Sequence, residues 1–248
     1  MKFKNTLITL LLACSPSLFA LETIDPAQIN PLPAGGSGNL EASLSGYSGN
    51  SSESTLSSGG RLDYQANTTL MSLSGDYTRI RTGASQPVHQ SWADAHYLDE
   101  FKHGLAAEAF VNYQDDLERS LANRTQAGAG ARFTLDYEQD LRALYLDVDG
   151  LHEWQAQRYN SQDYWRGNLG ITYKRQISPQ AHFIADLRYQ PKLSDWNNYN
   201  IYDDLAIDVN VTRAVSLNIG IRNEYDNTPP AYIHHNDTVY ETGIRVQF

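Results

Sequence analysis

Tyr240-Glu-Thr-Gly-Ile-Arg-Val-Gln-Phe248 is the stretch whose reading decides the fold. Tyr240, Thr242, Ile244, Val246 and Phe248 fall on one parity, and Glu241, Gly243, Arg245 and Gln247 on the other. Successive side chains of a strand point to opposite faces, so this run is a strand with one apolar and one polar face. A soluble sheet offers the same pattern. What distinguishes this strand is its place, at the very end of the sequence and closing on an aromatic residue.

The same alternation recurs upstream. Leu40, Ala42 and Leu44 share a parity, as do Met71, Leu73, Gly75 and Tyr77, and then Leu105, Ala107, Ala109, Val111 and Tyr113. Later runs are Ala127 to Phe133 in steps of two, Leu169, Ile171 and Tyr173, and Leu217, Ile219 and Ile221. About 12 strands follow from this count, each near the roughly 9–11 residues that a tilted strand needs to cross a bilayer. The register around residues 141–151 stays ambiguous. Connections at 48–54, 80–90, 114–123, 152–163, 191–199 and 226–237 are expected to be long and outside. Those at 66–68, 99–103, 138–140, 175–180 and 212–214 are expected to be short and inside. This ordering of turns belongs to an antiparallel, up-and-down transmembrane β-barrel. Tyr47, Tyr77, Tyr113, Tyr189 and Tyr225 fall at outer strand ends and Tyr64, Tyr97, Tyr137 and Tyr173 at inner ones, which reads as two aromatic girdles.

Composition supports an exported chain. Lys2 and Lys4, the apolar run Leu7 to Ala13 and the small residues before Leu21 make residues 1–20 a signal peptide. Leu11-Leu12-Ala13-Cys14 loosely resembles a lipoprotein box, so an anchor through Cys14 stands beside ordinary cleavage. Residues 21–38, with Pro26, Pro31 and Pro33 and the Gly35-Gly36-Ser37-Gly38 run, read as a flexible periplasmic lead-in, and residues 39–248 as the barrel domain. The chain has 19 basic and 29 acidic side chains, which makes nucleic acid a poor partner. Hydrophobic content is 41%, too low for helical membrane spans but compatible with a barrel, where only alternate residues meet lipid.

The polar parity defines the expected interior. Glu41, Arg61, Asp63, Arg222, Glu224, Glu241 and Arg245 are candidates for a lumen ion-pair network, because a sheltered charge without a partner is costly. Arg222 and Glu224 are expected beside Glu241 and Arg245. Asp76, Asp94, His96, Glu108, Arg132, Arg166, Lys174, Asp186, Arg188, Asp204 and Asp208 share that face. The excess of acids would favour cations in any pore. His89 and Ser91 lie two apart at the outer rim, an arrangement similar to that of an outer-membrane phospholipase, but no third group orients the imidazole. His234 and His235 with Asp226 and Asp237 read as a solvated polar loop rather than a metal site. No catalytic residue, cofactor or metal ligand is assigned.

Two stretches carry a family resemblance. Gly46-Tyr-Ser-Gly-Asn-Ser-Ser52 leads into Leu56 and Leu62-Asp-Tyr64, and Tyr225-Asp-Asn-Thr-Pro-Pro230 precedes Asp237-Thr238 and the ending on Phe248. These resemble the YdiY-like family of salt-induced outer-membrane proteins (domain of unknown function 481). The resemblance implies an outer-membrane barrel of unknown role. The terminal strand also resembles the signal read by the barrel-assembly machinery, which would make Tyr240, Thr242, Ile244, Val246 and Phe248 its contacts. The expected protein is therefore a non-enzymatic, monomeric barrel of the bacterial outer membrane. It would meet lipid on its wall, and the assembly machinery and periplasmic chaperones during biogenesis. Its role would be envelope maintenance, osmotic or salt stress, or small-solute passage. The alternatives are a lipid hydrolase using His89 and Ser91, and a soluble β-sandwich lipoprotein tethered through Cys14.

Overall fold

Alternation says that strands exist, and only backbone ladders say which of them pair. The structure, a computed structural model, describes residues 34–47, 53–82, 88–116, 121–138, 141–157, 160–229 and 234–247. Twelve strands run in chain order: β1 (Gly35–Tyr47), β2 (Glu53–Ala66), β3 (Thr69–Thr82), β4 (Val88–Lys102), β5 (Leu105–Asp116), β6 (Leu121–Glu138), β7 (Arg142–Gln157), β8 (Asn160–Ser178), β9 (Ala181–Lys192), β10 (Asp195–Asn210), β11 (Val215–Asp226) and β12 (Asn236–Gln247). Each pairs antiparallel with its sequence neighbours, and β12 returns to β1, so the sheet is a closed barrel. Leu40 stands opposite Val246, and Ala42 opposite Ile244. Closure removes the sheet edges that lipid cannot hydrogen-bond.

The start of β1 and the end of β12 share one mouth, called the inner mouth below. Its turns are tight, and Asn67 (φ 54°) and Gly104 (φ 75°) take the left-handed backbone that two-residue hairpins need. The outer wall is the expected apolar parity: Leu62, Leu73, Val111, Leu169, Ile171, Leu187, Ile219 and Ile221 are all exposed. A continuous exposed apolar belt on a closed barrel is a lipid-facing surface. Leu73→Arg, in the middle of that belt, should cost about 2–4 kcal/mol when the barrel folds into lipid vesicles. In a water-facing wall the same change would fall within about 0.5 kcal/mol, so urea titration of the vesicle-inserted barrel separates the two.

Three expectations are corrected. The connections at 152–163 and 191–199 are not long, because β7 and β8 run on to Gln157 and Asn160, and β9 and β10 to Lys192 and Asp195. The ladder continues above the lipid band, with Trp154 opposite Asp163 and Gln155 opposite Gln162. Hydropathy reports where lipid ends, whereas backbone pairing continues wherever a neighbour strand offers partners. Residues 35–38 likewise belong to β1 rather than to a free lead-in, pairing with Gln65 to Leu62. Tyr137 leaves the inner girdle. A β-bulge between Thr134 and Asp136 shifts the register, so Tyr137 stands opposite the buried, inward-facing Ala143.

Several of the remaining girdle tyrosines pack against other rings, as Tyr77 does on His89 and Tyr173 on Phe183. At the outer rim Tyr189, Tyr199 and Tyr225 form a row with ring centroids 5.5 and 6.0 Å apart. His152 packs between Trp154 and Trp165 on the outer wall, at 4.3 and 4.8 Å. A count of tyrosines misses that anchor, because it is built from tryptophan.

Candidate functional site

Every strand turns its polar parity inward, so the lumen is the one place where the chain concentrates chemistry. β7 supplies its centre. Its register places Tyr145, Asp147, Asp149, Leu151 and Glu153 inside, opposite inward residues of β6 and β8. Asp147 and Glu153 are almost completely buried. The sequence reading omitted these three acids, because apolar residues occupy both parities of β7 and blur the alternation. The spacing Asp147-x-Asp149 between Leu146 and Val148 was the available signal.

Arg132 on β6 has a fully buried side chain. Its Nε donates to Asp147 Oδ1 at 2.7 Å and its Nη2 to Asp147 Oδ2 at 3.1 Å, a two-pronged pair. The same Nη2 lies 3.4 Å from Glu108 Oε2, which is 3.2 Å from His96 Nε2. Arg188 holds Asp186 at 2.8 Å and approaches Asp147 at 3.9 Å. A second layer lies further out. Glu153 accepts from Gln126 at 2.6 Å and Arg166 at 3.3 Å, and Arg166 also donates to the Gln190 carbonyl at 3.0 Å.

Arg124 crosses the barrel. It starts on β6, and its Nη1 lies 3.3 Å from Glu224 on β11 and 3.3 Å from the Tyr202 hydroxyl on β10. β6 and β11 stand on nearly opposite sides of the ring. Tyr202 is fixed in turn by Asn200 at 3.0 Å. Arg124 was absent from the expected lumen set, since it sits just past the segment 114–123 read as an outer loop. Near the inner mouth Leu70, Leu98 and Ala106 add a small apolar cluster. Buried polar side chains of β4 to β10 thus crowd this side of the lumen.

Two glycines make that filling possible. Phe110 lies directly over Gly128, and at Gly130 an added Cβ would sit 2.6 Å from Asp149 Cα, against the Val148 carbonyl and the Asp149 carboxylate. Backbone cannot yield there without parting β6 from β7. Gly130→Ala should cost about 1–3 kcal/mol in urea titration of the folded barrel, since overpacking of this kind forces the walls apart.

The opposite wall is different. β12, β1, β2 and β3 present Gly243, Glu41, Ser57, Gly59, Ser72, Ser74 and Asp76 inward. Arg61 pairs with Asp63 at 2.8 Å, and Arg245 with Asp208 at 3.3 Å and Glu41 at 3.8 Å. Arg245 stands opposite Ser216, and Glu241 opposite Gly220, two residues from Arg222. Arg222 lies 3.6 Å from Asp204, and Glu224 lies 3.3 Å from Arg124. The side chain of Glu241, and Phe248 altogether, lie outside the described residues.

Two rim candidates separate. Ser91 donates its hydroxyl to Asp115 at 2.9 Å, whereas His89 stacks on Tyr77 at 6.2 Å. The serine proton is directed to a carboxylate rather than to the imidazole, so the hydrolase arrangement does not form. In the last outer connection the His235 ring packs on Tyr225 and its Nδ1 meets the Asp226 carbonyl at 2.8 Å. Among the described residues no three His, Cys, Asp or Glu side chains group to hold a metal.

A family model described as a protein of unknown function, DUF481, matches residues 40–248. The chain belongs to the DUF481 family. No curated protein matches it. The DUF481 barrel is similar to the COG4313 outer membrane channel from Pseudomonas putida F1, with a TM-score of 0.55 and 12% identity over 91% of this chain and 100% of that one. It is similar also to the translocator domain of the autotransporter NalP from Neisseria meningitidis, at 0.52 and 9%, covering 89% and 91% of the two chains. A third relative in fold is the KdgM porin in complex with disordered oligogalacturonate, at 0.50 and 11%, covering 86% and 99%. At such identities the likeness is one of fold. With the exposed apolar belt, it makes the DUF481 barrel an outer-membrane β-barrel.

Proposed function

We propose that the barrel is a non-enzymatic, narrow passage for water and small cations that helps to maintain the envelope under osmotic or salt stress. Uneven filling of the lumen carries this reading. On the β6 to β9 side the side chains of Arg132, Asp147, Glu153, Arg166, Asp186 and Arg188 are 0–7% exposed. On the β12 to β2 side Arg61, Asp63, Arg245 and Glu41 are 12%, 26%, 23% and 43% exposed. Space therefore remains along the wall of small residues, beside a plug. Glu41, Asp63 and Asp76 outnumber Arg61 and Arg245 along it, which favours cations. Planar-bilayer recording on the purified barrel should give small, cation-selective steps. A silent barrel would remove the passage, and wide or anion-selective steps would overturn the plug or the charge argument.

Residues 1–20 are proposed as a removed signal, and Tyr240, Thr242, Ile244, Val246 and Phe248 as the contacts of the assembly machinery. Their alternation supports this, since it leaves an apolar row on the wall side of β12. Deleting Phe248 should lower the amount of heat-modifiable barrel in outer-membrane fractions while leaving the conductance of the correctly folded remainder unchanged. Normal assembly without Phe248 would dispose of that role. The working form is proposed as a monomer in lipid.

A further inference from the structure

The outward face of β3 changes character toward the outer mouth. Met71, Leu73 and Tyr77 are exposed on the wall, and the exposed Arg79 and Arg81 continue the same parity. Tyr77 belongs to the outer girdle, whose rings mark the level of the lipid headgroups. A strand rises about 3.4 Å per residue and tilts by about 40°, which puts Arg79 roughly 5 Å and Arg81 roughly 10 Å above Tyr77 along the barrel axis. Both guanidinium groups thus meet the headgroup layer of the outer leaflet from the side.

Their described cross-strand neighbours carry no acid. Arg79 stands between Leu56 on β2 and His89 on β4, and Arg81 opposite Ser54 on β2. His89 stacks on Tyr77 with ring planes 23° apart, which holds the imidazole beside Arg79. Among the described residues no carboxylate pairs with either arginine. Asp115 on β5, outward beside Ser91, is engaged there by the Ser91 amide and hydroxyl at 3.0 and 2.9 Å. At the inner mouth, by contrast, the exposed Arg142 lies 2.7 Å from Asp136 and 3.4 Å from Glu138. The chain carries a net charge of −10, so it does not lack acids to place beside Arg79 and Arg81.

We propose that Arg79 and Arg81, with the His89 ring and the Ser54 hydroxyl, bind the phosphate of an outer-leaflet lipid that bears a phosphomonoester. A guanidinium grips phosphate through two parallel N–H groups, and a phosphomonoester brings nearly two negative charges to the two cations. A zwitterionic phosphodiester headgroup brings its own cation and matches the pair less well. The order of the β3 face selects a lipid over a soluble anion. Apolar Met71 and Leu73, aromatic Tyr77 and cationic Arg79 and Arg81 follow one another as acyl chain, interface and headgroup do. The acyl chains would lie on the wall below the girdle, against Leu56 and Leu73. The inference rests on the barrel standing in the outer membrane and not on whether its lumen conducts.

Binding of diphosphoryl lipid A to the full barrel in phosphatidylcholine nanodiscs tests this, with native mass spectrometry counting the bound lipid. The barrel should retain lipid A and not its dephosphorylated form. Arg79→Gln with Arg81→Gln should weaken that binding by at least about tenfold, as expected for loss of charge-assisted hydrogen bonds. Arg142→Gln with Arg175→Gln removes the same charge from a cross-strand pair at the inner mouth, and should leave binding unchanged. Gel mobility on heating reports the fold of both variants. Full binding by the Arg79 and Arg81 variant, or an equal loss in the two variants, would overturn the inference. Displacement of lipid A by inorganic phosphate would overturn the lipid and assign the site to a soluble anion. A dimer that forms without lipid A and breaks in the Arg79 and Arg81 variant would assign the arginines to a second copy instead.

Discussion

Replacing Arg124 with alanine should raise the barrel's single-channel conductance several-fold and sharpen its preference for cations. The guanidinium is the group that spans from β6 to Glu224 on β11 and Tyr202 on β10. Truncation removes both the crossing arm and a positive charge, leaving Glu224 and Glu153 to face the widened path. It should also cost about 3–5 kcal/mol of stability, because a buried carboxylate is left uncompensated. Arg124→Ala with Glu224→Gln separates the two effects. The double variant should keep the larger conductance and recover part of the lost stability, in bilayer recording and urea titration respectively. A single variant that conducts like the parent would show that the plug does not limit the passage.

Arg132→Ala should be the most destabilising single change in the lumen, by about 3–5 kcal/mol, with little effect on conductance. Its side chain bridges Asp147 and Glu108, and both carboxylates are 1–2% exposed. Removing the cation strands two buried anions side by side. Arg132→Met with Asp147→Asn should lose clearly less than Arg132→Ala, since it removes charge from both partners and keeps volume. Added salt should change these differences little, because mobile ions screen buried pairs poorly. Urea titration followed by the gel shift between folded and unfolded barrel measures all of this. A loss below about 1 kcal/mol for Arg132→Ala would mean that the cluster is solvated and the lumen open there.

Much of the fold was legible because a membrane barrel obeys a two-residue rule wherever lipid touches it. Leu73, Ile171 and Ile219 face out as their parity requires, and β12 closes on β1. Legibility failed where that rule stops operating. Toward the outer mouth, β7 and β8 continue through Gln155 and Gln162 without a sustained apolar alternation to mark them. At Tyr137 a single bulge exchanges the two faces, and no pattern of two can announce it. Inside β7, Tyr145 and Leu151 are apolar residues of the lumen, so Asp147, Asp149 and Glu153 were hidden by their own neighbours.

The sequence by itself determined the class of fold, the lipid-facing parity and the acid-rich interior, because each is a local consequence of which residues alternate. Only the tertiary structure decided which charges meet. Arg124 and Glu224 are 100 residues apart, and Arg245 on β12 reaches Asp208 on β10. Ion pairing across a lumen depends on strand stagger and on which walls face each other, and neither is written in any one strand. The tertiary structure also joins β1 to β12, over four residue pairs among the described residues, which makes the closing strand the seam of the wall.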